Sequence, residues 1–196
     1  MSEREPAAAG LLQRHPQWRW LWLAVLVVVF DLASKAWVSS VFQYGERWDV
    51  LPVFQLTLLH NTGAAFSFLA DHDGWQRWLF ALIGVVAVVG ILIWLGRLKR
   101  HETILALGLT LILGGAIGNL HDRLMLGYVV DFLAFHWQYR YFPAFNLADS
   151  AITLGAILIG WDLMFGGQNV RHKTAEAKSS PTSSQSTSPT RKSGHK

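Results

Sequence analysis

The sequence predicts an α-helical integral membrane protein with four transmembrane helices, a small extracytoplasmic β-sheet and a disordered C-terminal tail. Three observations predict it. Of 196 residues, 52% are hydrophobic and only 15% are charged, against about 25% charged in an average soluble chain. The apolar residues are gathered in long uncharged runs, as lipid requires. The basic residues cluster on alternate connections between those runs, as membrane orientation requires.

A spanning helix needs about 20 mostly apolar residues. Residues 78–95 and 103–120 carry no charge, and 20–30 continue to about 42 with only Asp31 and Lys35 interrupting. A shorter run, 150–161, lies between Asp149 and Asp162. The predicted spans are 19–40, 76–96, 102–121 and 147–166, inside one unit of 18–167. The first run could be a signal peptide, since "ASKA" follows it, but three more spans follow and cleavage would leave Asp31 without a purpose.

Twelve of seventeen Lys/Arg lie in the first 19 residues, the 97–102 loop and the tail. The positive-inside rule therefore predicts that both termini are cytoplasmic and that the two longer loops face outward. In the first of these, Phe54, Leu56 and Leu58 alternate with Gln55 and Thr57, a strand signal that puts the sheet within 41–75. Residues 1–17 are expected to be a loose terminus. The Ser/Thr/Pro-rich stretch 168–196 is expected to be disordered. Residues 171–196 hold six Lys/Arg and one Glu, a net +5, so the rest of the chain sums to −1 within the overall +4. A basic tail on an apolar body suits anionic lipid rather than nucleic acid.

Ionisable groups inside a membrane are costly, and each is a candidate for function. Asp31 and Lys35 stand four apart on one helix face, as an ion pair or as a platform bordering a site. Asn61, in "HNTGAAFSF", offers a donor and an acceptor, or simply turns the chain with Gly63. Gly114 and Gly118 form a small-residue stripe for helix packing. Asn119 and Arg123 share a face one turn apart at the outer end of the third span. Asn146 and Asp149 are spaced as an N-cap and its N3 residue. Asp131 and Asp149 both fall at the outer boundary, with a largely aromatic stretch between them. Two aspartates meeting in a partly apolar pocket cannot both ionise comfortably, so the pair would hold one proton. One carboxylate could then activate water while the other donates to a scissile carbonyl. No cysteine and no His-Glu-x-x-His motif is present, and the one Ser-Gly pair lies in the tail, so thiol, zinc and Gly-x-Ser-x-Gly chemistries lack support.

Four blocks, "DLASK", "HNTGAAFSF", "GGAIGNLHDRLMLGYVVDF" and "FNLADSAITLG", occur in that order over residues 20–165. With them the chain resembles the lipoprotein signal peptidases, also called signal peptidase II. The resemblance implies a bacterial inner-membrane aspartyl endopeptidase that needs no cofactor or metal. It implies cleavage of prolipoproteins just before the diacylglyceryl-modified cysteine, with the site at the extracytoplasmic boundary. The family's catalytic dyad falls on Asp131 and Asp149. Its supporting residues fall on Asp31, Lys35, Asn61, Gly115, Asn119, Arg123 and Asn146. His121 departs mildly from the family pattern, which has an apolar residue there. Expected partners are lipid-modified prolipoproteins and membrane lipid, with no nucleic acid, and a monomer is expected. Either the loop carrying "HNTGAAF" or the stretch 132–145 is expected to gate the site. A proton-coupled carrier is the competing class, since buried Asp and Lys also mark proton paths. Four spans without paired repeat halves disfavour it.

Overall fold

The computed structural model describes residues 15–63, 75–138 and 140–166. Four helices are long and apolar enough to cross a membrane. They are α1 (Leu21–Val41), preceded by a 3-10 turn at Pro16–Trp20, α2 (Trp75–Arg97), α3 (Thr103–Met125) and α4 (Leu147–Trp161), which runs into a π-helical turn at Asp162–Gly166. The two ends of the bundle are marked by side-chain hydrogen bonds. At one end His15 Nδ1 meets the Gly96 carbonyl at 2.9 Å and Gln17 donates to the Lys99 carbonyl at 2.6 Å. At the other, Lys35 of α1 donates to Asn119 of α3, and the N–H of Ala148 in α4 donates to Asp31 of α1. The helices therefore run up, down, up and down.

The third helix is the centre of the bundle and touches each of the other three. Over half of its apolar window is buried by protein, against about a fifth or less for the other spans. Glycine makes that possible, because without side chains the backbones approach closely. A Cβ at Gly108 would lie 2.8 Å from the Gly155 carbonyl oxygen, and one at Gly114 would lie 2.7 Å from Val27 Cβ. One at Gly115 would collide with the Ala148 carbonyl oxygen, and one at Gly118 with the Asp31 carboxylate. The stripe thus seats α1 on one side of α3 and α4 on the other. Gly115→Ala is expected to lower stability by about 1–3 kcal/mol, the usual range for overpacking a tight contact. Thermal unfolding in detergent checks it, and an unchanged midpoint would show that α4 yields without loss.

The sheet is antiparallel, in the order β1 (Arg47–Leu51), β2 (Phe54–Asn61), β3 (Val129–Trp137) and β4 (Arg140–Tyr141). It is larger than the alternation of 54–58 predicts. The third and fourth strands come from the largely aromatic stretch beyond α3, outside the 41–75 segment in which the sheet is expected. That stretch carries no polar alternation because consecutive positions, on both faces of the strand, are buried from Val129 to Phe132. Val130 and Phe132 pack with Leu58 of β2 and with Val38 and Phe42 at the end of α1. The sheet is thereby seated on the same end of the bundle as Lys35.

Gln17, expected to belong to a loose terminus, is instead fully buried against the α2–α3 connection. Residues 1–14, the loop 64–74 and the C-terminal tail from 167 lie outside the described residues.

Candidate active site

Asp131 sits in β3 opposite Leu59 of β2 and is 2% exposed. Both of its oxygens accept from side-chain amides. Asn61 Nδ2 donates to Oδ2 at 2.9 Å and Asn146 Nδ2 to Oδ1 at 2.8 Å. The orientation of each amide is set from its other end. Asn61 Oδ1 accepts the N–H of Gly63, and Asn146 Oδ1 accepts the N–H of Asp149, both at 2.9 Å. The end of β2 that carries Asn61 is itself pinned by His60, whose ring stacks on Tyr128 at 3.9 Å.

Asp149 lies in the first turn of α4 and is half-buried. Its Oδ2 accepts from the Asn146 N–H at 3.3 Å, completing a capping box with Asn146 as N-cap. Such a box satisfies helix N–H groups that have no partner within the helix. Asp149 Oδ1 accepts from Asn119 Nδ2 at 2.7 Å. The capping reading of Asp149 is therefore realised, and its charge also acts on Asp131. Asn146 is fully buried and touches both aspartates, one through each side-chain atom.

Beneath them lies a buried charge cluster. Lys35 Nζ is 2.7 Å from Asp31 Oδ2, 3.0 Å from Asp122 Oδ2 and 3.1 Å from Asn119 Oδ1. Asp31 Oδ1 accepts the Ala148 N–H at 2.9 Å. Arg123 donates to the Asn119 carbonyl at 3.1 Å, and its guanidinium lies over the Phe80 ring. The charge of Arg123 interacts with Asp149 and Asp131. Gly115 lies one turn below Asn119, at the tight contact with Ala148.

All nine residues that the sequence singles out thus gather at one end of the bundle. Asp122 joins them without having been predicted. Its signal was present in the sequence: it follows Asn119 by three residues on a helix and precedes Arg123 directly. His121 beside it is exposed, with Nδ1 3.5 Å from Asp122 Oδ1.

Burial pushes the Asp131 carboxyl up to about 6 from an ordinary 3.8. Hydrogen bonds from Asn61 and Asn146 and the Lys35 charge hold it back, and the nearby Asp149 adds to the rise. A carboxyl raised on folding favours the folded state while both states are protonated. That contribution is lost as pH rises through the folded value. Wild type should therefore lose stability relative to Asp131→Asn as pH climbs from 3.8 to about 6, then hold a constant difference. Unfolding midpoints of the two proteins across pH 4–8 check this, and a difference independent of pH would contradict it.

Fold and site together define an integral membrane protein with a polar, aspartate-bearing cluster at one end of a four-helix bundle. The comparisons with known proteins name its kind. The family model described as signal peptidase (SPase) II matches residues 23–165. The lipoprotein signal peptidase of Pseudomonas aeruginosa is 58% identical over 146 residues, 74% of this chain and 86% of that protein. That of a Pseudomonas fluorescens strain is 54% identical over 160 residues, 81% and 92% of the two chains. A bacterial membrane enzyme solved by the in meso method aligns with a TM-score of 0.65 and 30% identity, covering 72% of this chain and 90% of its own. The chain belongs to the lipoprotein signal peptidase (signal peptidase II) family of bacterial membrane proteases.

Proposed function

We propose that the protein is an aspartic endopeptidase that removes signal peptides from diacylglyceryl-modified prolipoproteins, cutting before the lipidated cysteine. The observation that carries this reading is that one residue holds both carboxylates: Asn146 Nδ2 donates to Asp131 Oδ1 at 2.8 Å and the Asn146 backbone N–H donates to Asp149 Oδ2 at 3.3 Å. Family membership supplies the substrate class.

Asp131 is the buried member and the one whose environment favours the proton. It donates that proton to the scissile carbonyl oxygen. Asp149, half-buried and open on one side, takes a proton from water as the water oxygen bonds to the carbonyl carbon. In the tetrahedral intermediate that results, the carbon carries two hydroxyls. Asp149 then passes its proton to the leaving nitrogen as the C–N bond breaks. Asp131 recovers a proton from one hydroxyl as the new carboxylic acid forms. The pair ends in its starting state. Asn61, Asn119 and Asn146 donate to carboxylate oxygens without bringing charge, so they orient the dyad. Arg123 balances the negative charge nearby.

The site lies at the end of the bundle away from the basic 97–100 loop. With the Lys/Arg bias, this supports cytoplasmic termini and a site at the outer surface of the inner membrane. A scissile bond held next to a lipid anchor lies at that depth. Purified protein incubated with a diacylglyceryl-modified prolipoprotein should release a product whose N-terminus is the modified cysteine. It should leave the unmodified precursor intact. Cleavage elsewhere, or equal cleavage of both precursors, would overturn the specificity.

A further inference from the structure

We propose that Asp122 is a positioning residue for Asp131, coupled through Lys35 to a matching device beneath Asp149. The inference rests on the reading of Asp131 and Asp149 as the dyad. Asp122 is 2% exposed and lies in the last turn of α3. That is the wrong end of a helix for an acid, because the C-terminal dipole repels negative charge. Its presence there serves something outside the helix.

Its contacts show what that is. The Asp122 backbone carbonyl accepts the N–H groups of Leu126 and Gly127 at 2.7 and 3.2 Å, closing α3. The chain turns at Gly127, whose φ of +87° suits glycine. Three residues later the Val130 N–H returns to Asp122 Oδ2 at 3.2 Å. One residue therefore holds both ends of the turn that delivers β3, and Asp131 is the next residue along. The Val130 carbonyl is held as well, by Asn146 Nδ2 at 3.2 Å.

The same device occurs under the second aspartate. The residue before Asp149 is Ala148, and its N–H is held by Asp31. In both halves a buried carboxylate grips the backbone one position ahead of a catalytic aspartate. Both carboxylates pair with the same ammonium, Lys35 Nζ. The third contact of that ammonium is Asn119 Oδ1, and Asn119 Nδ2 reaches Asp149 itself. A single cation on α1 thus ties the strand bearing one aspartate to the helix bearing the other. Small errors in such spacing are expensive, since a shift of about 1 Å can lower turnover about 10²-fold.

The test compares Asp122→Ala with Asp122→Asn in the full-length protein, using kcat per folded molecule and KM for a diacylated prolipoprotein. Asp122→Ala removes the grip on Val130 and should lower kcat about 10²-fold while KM stays within about twofold. Asp122→Asn retains an oxygen acceptor for the Val130 N–H and should keep kcat within about tenfold of wild type, the loss of one charge-assisted bond. Wild-type turnover by Asp122→Ala, or an equal loss in both variants, would overturn the proposal. Should Asp122→Ala fail to fold, Asp122→Asn decides with hydrogen exchange at Val130. Wild-type protection with retained kcat supports the proposal, and wild-type protection with a 10²-fold loss overturns it. Asp131→Asn and Asp149→Asn run alongside. If both are inactive and Asp122→Ala is not, the positioning role alone falls. If either cleaves as wild type does, the dyad reading falls and the proposal with it.

Discussion

Asp131→Asn and Asp149→Asn should each lower prolipoprotein cleavage by at least about 10³-fold, within the range for loss of a general acid or base. The loss should appear in kcat at saturating substrate. An amide can neither donate the proton that Asp131 supplies nor take the one that Asp149 accepts. The two variants should differ in stability. At position 131 both oxygens face N–H donors whose orientations are set by Gly63 and Asp149. An asparagine there must point its own NH₂ at one of them. That leaves a buried donor unpaired and costs about 1–3 kcal/mol. At position 149 one oxygen faces Asn119 and the other the more distant Asn146 N–H in a half-buried turn. An asparagine there can turn its NH₂ toward solvent and keep the Asn119 bond. Cleavage assays and unfolding midpoints on the same preparations separate the two effects. Undiminished cleavage by either variant would remove the dyad.

Much of this architecture is written in local patterns. The four helices follow from uncharged runs, because lipid leaves the chain few alternatives. Asp31 and Lys35 could be paired from their spacing alone. So could Asn146 and Asp149, since a capping box is a local motif. Long-range structure was harder to read. β3 carries Asp131, yet its residues show no strand alternation, because Val130 and Phe132 face a core made with α1 while neighbouring positions are also buried. The role of Asp122 was hidden for a different reason. Its partners Lys35 and Val130 lie on separate elements, and only the tertiary fold brings them to it. Gly115 was marked only by the family resemblance, beside the Gly114–Gly118 packing stripe. Its particular importance is that it faces the carbonyl of Ala148, one residue from Asp149.

Lys35→Met should cause the largest loss of stability of any single change in the bundle. The ammonium pairs with two carboxylates, and all three side chains are within 4% of complete burial. Replacing a buried pair by apolar residues is often neutral, because the desolvation penalty disappears together with the attraction. Removing only the cation is different. Asp31 and Asp122 would remain as neighbouring buried acids, and breaking one such pair already costs about 3–5 kcal/mol. Part of the loss would be offset. Asp31 keeps the Ala148 N–H at the N-terminus of α4, where the helix dipole favours negative charge. Asp122 keeps the Val130 N–H and the exposed His121 ring at 3.5 Å, and sits at the unfavourable end of α3. The strain should therefore be greater at Asp122. It follows that Asp122→Asn should recover more of the Lys35→Met loss than Asp31→Asn does. A triple variant with all three charges removed should approach wild-type stability while remaining impaired in cleavage. Unfolding midpoints of the single, double and triple variants test that order. If Lys35→Met kept both its midpoint and its activity, the cluster would be inert. Equal rescue by the two Asn substitutions would instead show that the helix ends do not distinguish the two acids.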